Sequence, residues 1–374
     1  MRAHLRGTNF LHIDESGWQN HCIVNARGLA IALCVAAVVP IAAQDIPSLI
    51  ENDHLRRALA ATNALPHNAQ YAYYRSQIAV NFSDQRAEAL AQAQVAAAAE
   101  PNNAEYQCNL AQAAGARAQN AGNFERIKLL RTIHAGSDKG LQLNPKNLTC
   151  LSLMANFYEQ APGLLGGDKK KAVEFANRIV QVDAAEGHLM LASLAQDNKQ
   201  VAEADAFRVK AAHSSGDTFN AHIQVGRMYL RDRKFTQAEG EARIALGQRS
   251  GNVAPYLLLA QALGGQEKWS AVDGVLADAK KAVPDNLAPY FNMARDMFLQ
   301  NKDLPRSERY MREYLTNGTP ELGTPRIAAA HWRLGNILEK DGRKQEALAE
   351  LKESLRLDAK FEGAKKDYER LSKN

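Results

Sequence analysis

Aromatic residues make up only 7% of this 374-residue sequence, and much of its 46% hydrophobic content is alanine. Alanine is the best helix former, and its small side chain lets helices approach closely. Basic clusters are also missing. The 46 Lys and Arg are interspersed with 41 Asp and Glu, for a net charge of +5. Only short runs such as Lys169, Lys170 and Lys171 stand out. That mixture describes a solvated surface rather than a nucleic-acid footprint, so no nucleic-acid partner is expected.

Recognisable catalytic patterns are absent too. The ten histidines include no H-E-x-x-H pair and no Cys/His set at zinc spacing. No G-x-S-x-G elbow occurs, and no motif places a carboxylate pair. The stretch GLLGGDKK from Gly163 invites a phosphate-loop reading, but Asp168 interrupts Gly-Lys and no Ser or Thr follows. The expectation is therefore a non-enzyme with no catalytic residues, no metal and no cofactor, the alternative being an enzyme or small-ligand carrier.

What is present is repetition. Residues 219–252 and 253–286 are two 34-residue blocks without a gap, FNAHIQVGRMYLRDRKFTQAEGEARIALGQRSGN and VAPYLLLAQALGGQEKWSAVDGVLADAKKAVPDN. Small residues recur at position 8 (Gly226, Ala260), large ones at 11 (Tyr229, Leu263) and Ala at 27 (Ala245, Ala279). Each block holds two helical periods around a polar turn. The pattern resembles the tetratricopeptide repeat (TPR), a helix–turn–helix unit of 34 residues. Carried along the chain, it gives eight units starting at residues 70, 104, 148, 185, 219, 253, 287 and 328. The last is the clearest, with Leu334, Gly335, Ala347 and Leu351 at packing positions. The departures are Gln77 at position 8 of the first unit, Arg306 at position 20 of the seventh, and three insertions. These fall around 117–134, at APGLLGGDKKK from Ala161, and at TPELGTP before Arg326.

The resemblance implies an all-α fold, a right-handed α-solenoid of about eight TPR units with N- and C-terminal capping helices. The expected division is a leader at 1–43, an N-terminal cap at 44–69 read as one helix over 47–64, an array at 70–361 and a polar terminal helix at 362–374. Position 4 places His222 and His331 between helices as interior residues.

Residues 28–43, GLAIALCVAAVVPIAA, follow Arg27 without a charge and end in small residues, as secretory signals do. The run is shorter than the roughly 20 residues of a membrane span. Ile41 and Ala43 place the cut before Gln44, and Leu33 before Cys34 is unlike a lipoprotein site. Residues 1–24 are polar and mixed, unlike a signal's basic start, and suggest a working start near Val24. The chain is thus expected to be exported, to the periplasm if bacterial, with membrane attachment only if the leader is retained. Of four cysteines, Cys22 and Cys34 fall in the leader. Cys108 and Cys150 sit on first helices of adjacent units. Helix axes there lie about 8–10 Å apart, against roughly 4.4–6.8 Å for bridged Cα atoms, so two separate, half-buried thiols are expected.

In this family the concave face is lined by first-helix residues near positions 2, 5, 6, 9, 12 and 13. The resemblance therefore implies a protein or peptide partner on a groove containing Tyr71, Tyr74 and Phe82 in the first unit and Arg227 and Arg231 in the fifth. The seventh adds Phe291, Asn292 and Arg295, and the eighth Trp332, Arg333 and Asn336. Aromatic and Arg residues dominate binding hot spots. Exposed Arg295 and Arg333 would offer planar donors to a carboxylate, with the aromatic faces beside them, a surface suited to an acidic-aromatic peptide. The Lys and Asn clamp of the chaperone-tail-binding members is not reproduced. Exported protein should begin at or near Gln44 by N-terminal sequencing; recovery of a chain that starts at Met1 contradicts both the signal and the late start.

Overall fold

The computed structural model describes residues 45–317 and 321–373; the expected leader, with the expected cleavage site and start, and Cys22 and Cys34, lie outside them. Nineteen α-helices and no strand occur among the described residues. None of those helices is long and apolar enough to cross a membrane. Two short helices, α1 (Ile46–Glu51) and α2 (Leu55–Asn63), come first. Eight hairpins follow: α3 (Ala69–Ala79) with α4 (Arg86–Ala99), α5 (Ala104–Ala118) with α6 (Asn123–Leu143), α7 (Leu148–Gln160) with α8 (Lys169–Val182), and α9 (Ala184–Asp197) with α10 (Val201–Ala212). The others are α11 (Phe219–Arg231) with α12 (Phe235–Gln248), α13 (Ala254–Gly265) with α14 (Trp269–Ala282), α15 (Ala288–Leu299) with α16 (Leu304–Thr316), and α17 (Ile327–Lys340) with α18 (Lys344–Leu357). A final helix, α19 (Glu362–Lys373), packs on the last pair.

Local chemistry starts and stops these helices. Asn68, Asn103, Asn147, Asp168, Asp183 and Asp303 accept backbone N–H groups at the first turns of their helices, relieving unpaired donors there. In units four to eight the same position 15 ends the first helix with positive φ: Lys199, Arg233, Glu267, Asn301 and Gly342. The next N–H reaches back to the carbonyl at position 11, as from Lys234 to Tyr229 and Lys268 to Leu263 (2.8 and 3.0 Å). That six-to-one bond closes orphan carbonyls and turns the chain into the second helix.

Small residues hold each pair together. Ala89, Ala172, Ala204, Ala238 and Ala347 have no exposed surface. Gly335 makes the close approach expected of it, since a Cβ there would lie 3.0 Å from Leu351 Cγ. The two irregular positions resolve as one-residue shifts. Ser76, not Gln77, is fully buried in α3. Ser307, not Arg306, is buried in α16 and donates to the Ala294 carbonyl at 2.7 Å. His222 and His331 both face a second-helix carboxylate, Glu241 and Glu350, at 2.6 Å.

Three readings are corrected. The single helix over 47–64 is two helices, because Asp53 takes a left-handed conformation between them (φ 61°). The two helices are more than a lid on the first unit. Ile46, Leu49 and Leu55 pack with Ile78 and Leu322. Glu51 meets Arg249 at 2.5 Å, His54 meets Asp285 at 2.9 Å, and the Arg56 N–H donates to Glu321 at 2.6 Å. Thus α1 and α2 seat on the loops that end units five, six and seven. Cys108 and Cys150, in turn, are not separate thiols but a disulfide, fully buried, with Cα atoms 5.2 Å apart. Axis separation was the wrong yardstick. Cα atoms on facing sides stand about 4.6 Å nearer than the axes, given a helix radius near 2.3 Å.

Gly140 in α6 makes that bridge possible. A Cβ there would lie 2.5 Å from both sulfurs. Gly140→Ala should therefore overpack the seam and lower stability by about 1–3 kcal/mol, read as a fall in the urea midpoint. An unchanged midpoint would mean that the seam relaxes freely.

Candidate functional site

The positions expected to line a groove divide into three stretches with different fates. At the first unit, Tyr74 and Phe82 pack against the α1–α2 cluster. Tyr71 stacks on His67 with ring centres 4.2 Å apart. Arg75 beside them is ion-paired with Glu88 of α4. The aromatic cluster is real, but the chain's own first helices cover much of it.

The last two units are likewise occupied. Phe291 is buried in the main core, edge-on to Tyr314, because position 5 of α15 faces α16. Asn292 donates to the Ala288 carbonyl of its own helix at 2.9 Å. Arg295 pairs with Asp296 at 2.8 Å and Arg333 lies over the rings of Trp332 and Phe298 at 4.4 and 5.2 Å. Neither is the free, exposed donor expected; both are half-buried. Burial, and then the nearby Arg295 charge, holds the Arg333 guanidinium below its usual range.

Trp332 Nε1 and Asn336 Nδ2 donate to one oxygen of Asp367 at 2.7 and 2.9 Å. Asp367 belongs to α19, which occupies the place of a ninth first helix. The carboxylate suited to this surface is therefore supplied by the chain itself. Burial pushes the Asp367 carboxyl up, but donors from Trp332, Asn336 and Arg370 outweigh it and hold it below the usual range.

The middle of the face is open. Arg227 is exposed and has no ion-pair partner among the described residues. It borders two adjoining clefts of about 290 and 340 Å³, one reaching Glu186 and Asn220, the other Arg208 and Arg231. Arg231 is tied to Asp205 and Asp232 at 2.7 and 2.9 Å.

A larger cleft, of about 600 Å³, lies at the C-terminal ends of α3, α5 and α7. Gly115, Ala116, Leu153 and Phe157 give it an apolar floor, and Leu130 and Ile133 of α6 form a wall. Asn81, Gln112, Gln119, Asn156 and Gln160 place amides around it. Ala161 and Pro162 complete the rim. The wall belongs to the 21-residue α6, which absorbs the insertion of unit two, and the rim to that of unit three. Sequence reasoning missed this site by weighting aromatic and Arg residues; two consecutive insertions were the available signal. Both insertions also present apolar side chains to solvent, Phe124 at 90% and Leu164 at 101% exposure. The GLLGGDKK stretch is a short 3-10 turn followed by the Asp168 cap of α8, with no strand before it.

One metal-compatible group occurs among the described residues: His54, Asp285 and Glu321. Its members lie far apart in sequence, so no spacing motif could reveal it.

These helix pairs, with their recurring turns and small-residue crossings, make the chain a TPR-like α-solenoid. No family model matches the sequence, and no curated protein matches it. Solved structures similar to it include TPR proteins. TTC0263 of Thermus thermophilus is 18% identical over 50% of this chain and 95% of its own, with a TM-score of 0.42. Yeast Tom70 is 12% identical over 87% and 86%, at 0.43. A TPR protein of Parabacteroides merdae is 15% identical over 71% and 99%, at 0.41.

The Asp367 contact makes a specific expectation. Asp367→Ala should leave the array folded while α19 exchanges its amide hydrogens faster, since two half-buried donors lose their acceptor. Unaltered exchange in α19 would show that Leu371 and Ala364 hold the helix alone.

Proposed function

We propose that this chain is an exported scaffold that holds a protein segment along the first helices of units one to five, in the periplasm or cell envelope. The cleft of units one to three carries this reading. Its floor takes an apolar side chain, and its amides offer both donors and acceptors to an extended peptide backbone. Arg227 extends the face with an unpaired cation for an acidic residue further along. Export is supported by the apolar run at 28–43 and by a buried disulfide, which persists in oxidising compartments.

The cleft volume also falls within the roughly 300–1,000 Å³ of small-molecule sites. That observation favours a small-ligand carrier as the second reading, and native mass spectrometry of the purified protein separates the two.

A photo-crosslinking residue at Gln112 or Asn156 should capture a protein partner in cells, whereas the same residue at Asn336 should not. Leu153→Asp should then weaken the captured segment by about 2 kcal/mol or more while the helical signal stays intact. Equal affinity of the variant and the original would move the site towards Arg227.

A further inference from the structure

We propose that His54, Asp285 and Glu321 form a binding site for a divalent transition metal of the zinc type, which fastens α1–α2 to the loops after units six and seven. One ligand atom from each residue lies within 4.8 Å of the others. His54 Nδ1 is 2.9 Å from Asp285 Oδ2. Asp285 Oδ1 and Glu321 Oε2 are buried and make no hydrogen bond. Buried oxygens of carboxylates normally have partners, and leaving one without costs more than a made bond returns.

Glu321 is the stronger indication. It is 2% exposed, yet only half of its carboxylate is used. Oε1 accepts the Arg56 and Leu322 N–H groups, both at 2.6 Å. Those bonds fix the carboxylate and leave Oε2 in the cluster. Outer contacts of this kind orient metal ligands. Nδ1 faces Asp285, so a neutral imidazole with its proton on Nε2 would present the Nδ1 lone pair to a metal.

Charge points the same way. Two carboxylates meet one imidazole. The Arg57 guanidinium stands 4.0 Å from Asp285 with its side chain 46% exposed. A divalent cation would neutralise both carboxylates. One nitrogen and two oxygens suit zinc or manganese, whereas calcium takes six to eight oxygens. Asp285, only partly buried, gives solvent access to a fourth coordination position.

The test uses tag-free full-length protein, stripped with a chelator and titrated with Zn²⁺ and, separately, Mn²⁺. Calorimetry and elemental analysis should find one ion per chain that Glu321→Gln and His54→Asn each weaken at least about tenfold. Zinc should also slow amide exchange in α1 and α2 of the original chain and leave both variants unchanged. Circular dichroism confirms that the variants fold, and Asp285→Asn provides a third removal of a ligand. No uptake of either ion overturns the site. So does uptake that survives in all three variants, which would place the metal on other histidines. Slow exchange of α1 and α2 in stripped protein, unaltered by metal, also overturns it and leaves a protonated carboxyl or imidazole as the clasp.

Discussion

No helix pair in this chain can bury its apolar face alone, and every other feature follows from that constraint. A hairpin of about 30 residues has too little interior to be stable by itself, so each pair must lean on the next. The contact that permits it is close approach at small residues. Ala89, Ala172, Ala204, Ala238 and Ala347 vanish between helices, and Gly226 and Gly335 go further by bringing Leu258 and Leu351 against the backbone. Where the sequence departs from that rule, the backbone shifts by one residue to restore it, with Ser76 and Ser307 taking the small positions.

That constraint explains what could be read from sequence. Small residues at fixed spacing are a periodic signal, and they located all eight hairpins and the polar terminal helix. What could not be read depends on groups distant in sequence. The Cys108–Cys150 bridge turns on Gly140, a residue in the helix between them, whose missing side chain leaves room for two sulfurs. The break at Asp53 is a single backbone rotation. The fate of the groove was hidden for the same reason. Trp332, Asn336 and Tyr74 lie on first helices and Phe82 just past one, but nothing local says that Asp367 or Leu55 arrives to cover them. The insertions, treated as irregularities, supply the wall and rim of the cleft of about 600 Å³.

The distribution of free surface therefore differs from that of a uniform groove. Both ends are satisfied by the chain's own helices, one through apolar packing and the other through a carboxylate. The units between them keep cleft-lining amides and Arg227. A partner meets its most accommodating surface where insertions have widened it.

The seating of α1 and α2 has a kinetic consequence. In an open stack each unit touches only its neighbours, so contacts are local, ends fray singly, and folding can begin anywhere. Here His54 meets Asp285 across 231 residues and Arg56 meets Glu321 across 265. Contacts of such separation raise the contact order, and the chain entropy of closing that span must be overcome before they contribute anything. They form late, after the intervening units have stacked in register. Once formed, they join the N-terminal helices to the loops after units five, six and seven, so that fraying at that end must also break contacts far along the chain. A fold assembled from separable parts thereby acquires the cooperativity of a single domain.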